Sequence, residues 1–154
     1  FDMFKDDTDR LGYFRDISTF GGCTAGPAAA IENMNILIEE DLLGNSERMG
    51  NYLLERLHSL AEKYDVIGDV RGKGLFAGIE LVTDRETKEP MGEPEVQAIV
   101  ADCFQHNAVV IGATNRSLPG FNNTLLFSPA LIATKNDIDE IINAVDEALG
   151  RAAA

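Results

Sequence analysis

The chain has 154 residues, of which 45% are hydrophobic and 25% charged, and a formal net charge of −13. That length suffices for one domain burying roughly 70% of its unfolded surface, while the acidity opposes binding to phosphate backbones or an anionic membrane. No apolar run is long enough to span a bilayer, and Cys23, Cys103, His58 and His106 fall in no metal-ligand spacing, so we expect no nucleic acid, membrane or metal partner and a reducing cytoplasm.

The first residues, Phe1-Asp2-Met3-Phe4, begin in the middle of an apolar alternation, and we expect the chain to be a piece of a longer polypeptide. Residues 1–23 read as loop with a short turn at Gly21-Gly22. A helix is predicted from Thr24 to Leu43, with Thr24 as N-cap, Pro27 in the first turn and Gly44 as C-cap. A second helix should run from Ser46 to Tyr64. Met49, Leu53, Leu57, Leu60 and Tyr64 form its inward stripe, and Glu55, Arg56, Glu62 and Lys63 its solvated face.

From Val66 to Val82 the pattern changes to strand, as two strands or one bent strand, with the bend at Arg71-Gly72-Lys73-Gly74. Thr83–Pro94 reads as a surface loop. A third helix is predicted from Glu95 to His106, with Val96, Ile99, Val100 and Cys103 inward. Ala108–Ile111 and Thr124–Phe127 read as strands joined by a long loop rich in Gly, Asn, Ser and Pro. A last helix over Lys135–Leu149 has Thr134 as cap and Ile138, Ile141, Ile142, Val145 and Leu149 at helical spacing. The sum is an α+β (α/β) fold: a three- to four-stranded, mainly antiparallel sheet with helices on one face, preceded by a long helix.

Few residues announce chemistry. His58 reads as a packing residue beside its stripe, and His106 as a partner for the negative end of a helix. The RGKG stretch is not a P-loop, since GxxxxGK[ST] is absent; a bend made by glycines is favoured over phosphate binding about three to one. Thr19-Phe20-Gly21-Gly22 offers a hydroxyl and backbone amides suited to an anion, although by itself it reads as an ordinary turn. Arg116 carries a planar donor fork matched to carboxylates, or is simply a solvated arginine.

Taken in order, these stretches resemble the last third of class III aminotransferases of fold type I, in particular the ω-amino acid:pyruvate aminotransferase branch. The resemblance rests on Ser18-Thr19-Phe20-Gly21-Gly22 before an alanine-rich helix, on Ile67–Leu75 continuing to Gly78-Ile79-Glu80-Leu81, and on Ile111-Gly112, the Arg116 loop and Phe127-Ser128-Pro129-Ala130-Leu131. It departs from the family pattern at Cys23-Thr24 and in the length of the Ala113–Arg116 stretch.

The resemblance implies that Thr19, with Phe20 and Gly21, contacts the phosphate of pyridoxal phosphate held by a neighbouring subunit, and that Arg116 pairs with a substrate carboxylate. It divides the chain into 1–24, a remnant of the large cofactor-binding domain, 25–64, linking helices, and 65–154, a C-terminal small domain. The implied partners are the protein's own large domain, a second subunit in a homodimer or higher oligomer, and a small-molecule amine and keto acid.

Family members hold the cofactor aldehyde as a Schiff base on a lysine, and none of Lys5, Lys63, Lys73, Lys88 and Lys135 suits that role. The segment alone should therefore contain no catalytic residue and be inactive. The alternative is a non-catalytic binding or dimerisation module on the same scaffold; an aminomutase or decarboxylase would also share it.

Overall fold

The computed structural model describes residues 18–114 and 122–153. The chain divides into two units that part between Ile36 and Leu37. The elements are α1 (Ala25–Glu39), α2 (Leu42–Lys63), β1 (Ile67–Lys73), β2 (Phe76–Asp84), β3 (Glu89–Pro90), α3 (Glu93–Asn107), β4 (Gly112–Thr114), β5 (Thr124–Phe127) and α4 (Lys135–Ala152).

The helix expected to run to Leu43 stops at Glu39, and the next begins at Leu42 rather than Ser46. The break is made by Asp41, which takes a left-handed conformation at φ 48° and ψ 44°, a region that aspartate tolerates better than most residues. Its amide donates to the Ile38 carbonyl at 3.2 Å, and its carbonyl accepts from Asn45 at 2.9 Å. Both helix ends are thus partly satisfied within two residues. Gly44 consequently lies inside α2 and is no C-cap.

The strand pattern resolves into a hairpin. β1 and β2 pair antiparallel from Ile67↔Leu81 to Lys73↔Phe76, so the reversal falls on Gly74-Leu75 and Arg71-Gly72-Lys73 belong to the strand. Gly74 has φ +55°, where a Cβ is strained. β5 pairs antiparallel with β2 on its other side, and β4 with β5. The sheet order is β1-β2-β5-β4, with β3 folded back on the far end of β2. The fold is α+β, with one strand more than expected because Thr83–Pro94 contains β3 and is not simply a loop. Asp84 builds that reversal: its carboxylate accepts from the Glu86 and Thr87 amides, both at 2.8 Å.

The sheet's remaining departure is β4, expected at Ala108–Ile111. Ala108 instead terminates α3 in a left-handed conformation, donating to the Cys103 and Phe104 carbonyls. That turn consumes the residues that would have paired, and the strand starts at Gly112.

The core lies where α2, α3 and α4 meet the sheet. Leu53, Leu57, Ile67, Ile79, Leu81, Val96, Cys103, Leu125, Ile138 and Val145 are all fully buried there. Alternation along β2 and β5 puts Ala77, Ile79, Leu81, Leu125 and Phe127 into this cluster, as a half-covered sheet requires. The α4 stripe and its Thr134 cap are as the sequence predicts. Thr134 accepts from the Asp137 amide while the Asp137 carboxylate accepts from the Thr134 amide at 2.7 Å, a reciprocal capping box.

Two side chains expected elsewhere are relocated by packing. His58 is exposed rather than packed beside the stripe. Arg56, expected on the solvated face, is half-buried at the α2–α4 seam, where it pairs with Asp139 and donates to the Tyr52 hydroxyl at 2.9 Å. Tyr52 donates in turn to Asp139 at 2.6 Å, and Lys135 stands 4.8 Å over its ring.

The closest approach in the fold sets a stability test. A Cβ on Gly50 would stand 2.2 Å from the Gly74 carbonyl carbon, so Gly50→Ala has to push α2 away from the hairpin. Chemical denaturation should show a loss of about 1–3 kcal/mol, the usual range for overpacking; an unchanged midpoint would contradict this packing.

Acid stability offers a second. Hydrogen bonds from Arg151 hold Asp102 below the ordinary carboxylate range, and those from Thr134 do the same for Asp137. A depressed folded-state pKa adds stability that is present above the unfolded value, near 3.9, and is lost as pH falls through the folded one. Melting temperature should therefore drop steeply below about pH 4. Asp102→Asn should lower it at neutral pH and flatten that acid limb.

Candidate functional site

Thr19, Phe20 and Gly21 form a turn directly ahead of α1. The Gly21 amide donates to the Ser18 carbonyl at 3.1 Å, and the Cys23 amide to the Phe20 carbonyl at 2.9 Å. The turn is fully on the surface, and the Phe20 ring is 81% exposed. The first turn of α1 holds no acidic side chain, so nothing there offsets the positive end of the helix. In a chain of net charge −13 that is a local environment suited to an anion.

The donor set therefore fits a phosphate group, as hydroxyl plus backbone amides, but supplies only one wall of a site. α1 itself buries none of its residues, and Ile31, Met34 and Ile38 are exposed.

Arg116 lies outside the described residues. On its two sides are β4 and the pair Asn122-Asn123. Asn123 is fully buried; its amide side chain donates to the Leu81 carbonyl at 2.8 Å, and its own carbonyl accepts from the Leu81 amide at 2.8 Å. Asn122 donates to Glu93, the first residue of α3, at 2.6 Å. Sequence reading overlooked all three residues. The available signal was two consecutive amide side chains directly before an apolar strand, where one capping residue suffices.

The remaining candidates are occupied by structure. Arg71 donates to Asp69 and, at 3.0 Å, to Glu80, and these hydrogen bonds, that to Asp69 foremost, push its pKa up. Lys73 opens onto a surface groove of about 600 Å³ between α2 and the hairpin, shared with Ser46, Glu47 and Asn51. Lys88 donates to the Gly68 carbonyl at 2.8 Å, and Lys135 sits over Tyr52. Lys63 is held 2.6 Å from Asp146, which raises its pKa; a nucleophilic amine needs the reverse. Lys5 lies outside the described residues.

His106 stands 3.5 Å from Asp102, which also holds Arg151 at 2.9 Å. Burial drives the Cys103 thiol up to about 11, which leaves it protonated and inert at neutral pH. Among the described residues no cluster of His, Cys, Asp and Glu could hold a metal ion, and no helix is long and apolar enough to cross a membrane.

Known proteins match this arrangement along nearly the whole chain. A hypotaurine/taurine–pyruvate aminotransferase of Paracoccus denitrificans is 64% identical over 150 residues, covering 97% of this chain and 32% of that protein. A taurine–pyruvate aminotransferase of Rhodobacter capsulatus is 61% identical over 155 residues, covering 100% and 34%. A Bacillus anthracis aminotransferase structure superposes with a TM-score of 0.88 at 37% identity, covering 97% of this chain and 33% of that one.

The structure of a PLP-bound amine transaminase from an uncultivated Pseudomonas species superposes with a TM-score of 0.80 at 30% identity, covering 90% and 30%. The chain thus spans about a third of the length of the curated relatives it matches. The class-III aminotransferase family matches residues 11–149, and with the antiparallel sheet and the close relatives agreeing, the chain belongs to that family.

Proposed function

We propose that this chain is the C-terminal portion of a cytoplasmic, pyridoxal-phosphate-dependent aminotransferase that moves an amino group from an ω-amine or amino acid to a keto acid such as pyruvate. Taurine and hypotaurine are the donors to test first, because proteins named for them share 64% and 61% of its residues. The observation that carries the reading is the open Thr19–Gly21 turn at the head of α1, within a chain that such relatives match from end to end.

In this reading Thr19, Phe20 and Gly21 hold the cofactor phosphate through the hydroxyl and backbone amides, completing a pocket on a neighbouring subunit. Pyridoxal phosphate, when bound, supplies the electron sink and the carrier for the amino group. The chain's own part is binding and orientation. A lysine to anchor the cofactor comes from the rest of a longer protein, so this segment alone is inactive. The exposed Ile31, Met34 and Ile38 of α1 are covered by that larger domain and by the second subunit of a homodimer or higher oligomer.

Arg116 binds the acidic end of the donor. A guanidinium offers two parallel N–H groups, a geometry that suits a carboxylate and equally the oxygens of a sulfonate. Withdrawing it would leave room for an uncharged amine.

Two substitutions in the full-length enzyme test these assignments. Arg116→Ala should raise KM for taurine at least ~10-fold while leaving KM for a simple apolar amine little changed; equal effects on both donors would sink the assignment. Thr19→Val should weaken pyridoxal phosphate binding by about 10–100-fold, the usual consequence of losing a hydrogen bond to a charged group, read by absorbance titration of the apoenzyme.

A further inference from the structure

A lysine becomes a nucleophile only when its ammonium gives up a proton together with whatever holds it. The described lysines differ in what holds them. Lys63 lies 2.6 Å from Asp146 and 5.0 Å over the Tyr64 ring. Lys88 donates to the Gly68 carbonyl at 2.8 Å, and Lys135 stands 4.8 Å over the Tyr52 ring. Among the described lysines, only Lys73 has no hydrogen bond, ion pair or ring against its ammonium. The described arginines are all paired with carboxylates.

Lys73 is open to solvent as well as unengaged. It is the last residue of β1, exposed, and flanked by Gly72 and Gly74, which have no side chains to screen it. It lines the groove between α2 and the hairpin together with Leu43, Glu47, Asn51 and Leu54. The Asn51 amide is a donor for a carbonyl oxygen, and the two leucines give a short acyl chain an apolar wall. Glu47 sets a carboxylate on the same groove, which disfavours an acyl group that carries its own negative charge.

We propose that Lys73 is the preferred acylation site among the described lysines, with a thioester of a short uncharged acid as acyl donor. The Nζ lone pair attacks the thioester carbonyl carbon. The C–N bond forms as the C–S bond breaks, and the thiol leaves with the proton that the amine loses. The product is a neutral amide, nothing is oxidised or reduced, and no further reactant is needed. The modification removes the one unengaged lysine charge of the described fold and leaves the chain one unit more negative.

The test treats the full-length protein with the neutral thioester S-acetyl-N-acetylcysteamine, and peptide mass spectrometry reads the occupancy of each lysine at low conversion. Lys73 should be acetylated about 3–5-fold more than each of Lys63, Lys88 and Lys135, a margin in keeping with the small worth of exposed ion pairs. Asp146→Asn keeps an oxygen beside Lys63 but removes the charge that holds it, so acetylation of Lys63 should rise while that of Lys73 stays unaltered. With the succinyl analogue the preference for Lys73 should fall by at least about twofold, and Glu47→Gln should restore it.

Equal occupancy of the four lysines would overturn the proposal, and so would a Lys73 left unacetylated because other parts of the protein cover the groove. An unchanged Lys63 in the Asp146→Asn protein would overturn it too, since engagement of the ammonium would then not decide reactivity. An undiminished preference with the succinyl donor would overturn the assigned class of acyl group.

Discussion

The close contact between α2 and the β1–β2 hairpin governs how the rest of the larger unit can assemble. Gly50 has no side chain because the Gly74 backbone occupies that space, and Gly74 in turn adopts a φ that other residues resist. Ser46, one turn earlier on α2, accepts a hydrogen bond from the Leu75 amide at 3.3 Å, so the hairpin tip is seated on the helix by both shape and polarity. With the tip held there, the α2 stripe of Leu53, Leu57 and Leu60 meets Ile67 and Ile79 of the sheet. β2 then becomes the strand on which β1, β3 and β5 all build.

Charge is arranged so that strong acidity is tolerated. Isolated surface ion pairs contribute little to stability, yet here they fall along helix seams. Arg56 and Asp139, together with Lys63 and Asp146, join α2 to α4, and Arg151 with Asp102 joins α4 to α3. Each pair fixes the rotation of a helix whose apolar face is already inside. The acidic surplus is left to the exposed faces, where it keeps the protein apart from other anionic surfaces.

The smaller unit obeys different rules. α1 is rich in apolar side chains and buries none of them, which an isolated helix in water cannot justify. The turn that precedes it offers an open hydroxyl and open amides. Both lie in a chain that spans about a third of the length of the relatives it matches. The larger unit, by contrast, has a closed core of its own.

Periodicity in the sequence alone determined most helices and strands here. The α2 and α4 stripes, the Thr134 cap and the Thr124–Phe127 strand follow from local spacing, and local spacing is what a linear reading measures. The family, too, was readable, from short motifs in register. Tertiary structure alone decided the break at Asp41, the seating of the hairpin on Gly50, the half-burial of Arg56, the displacement of β4 and the anchorage of Asn122 and Asn123. Each depends on a partner from 24 to 83 residues away or on a backbone turn that competes with propensity. A pattern of neighbours carries no information about which distant carbonyl an amide will meet, and that choice is made only when the core closes.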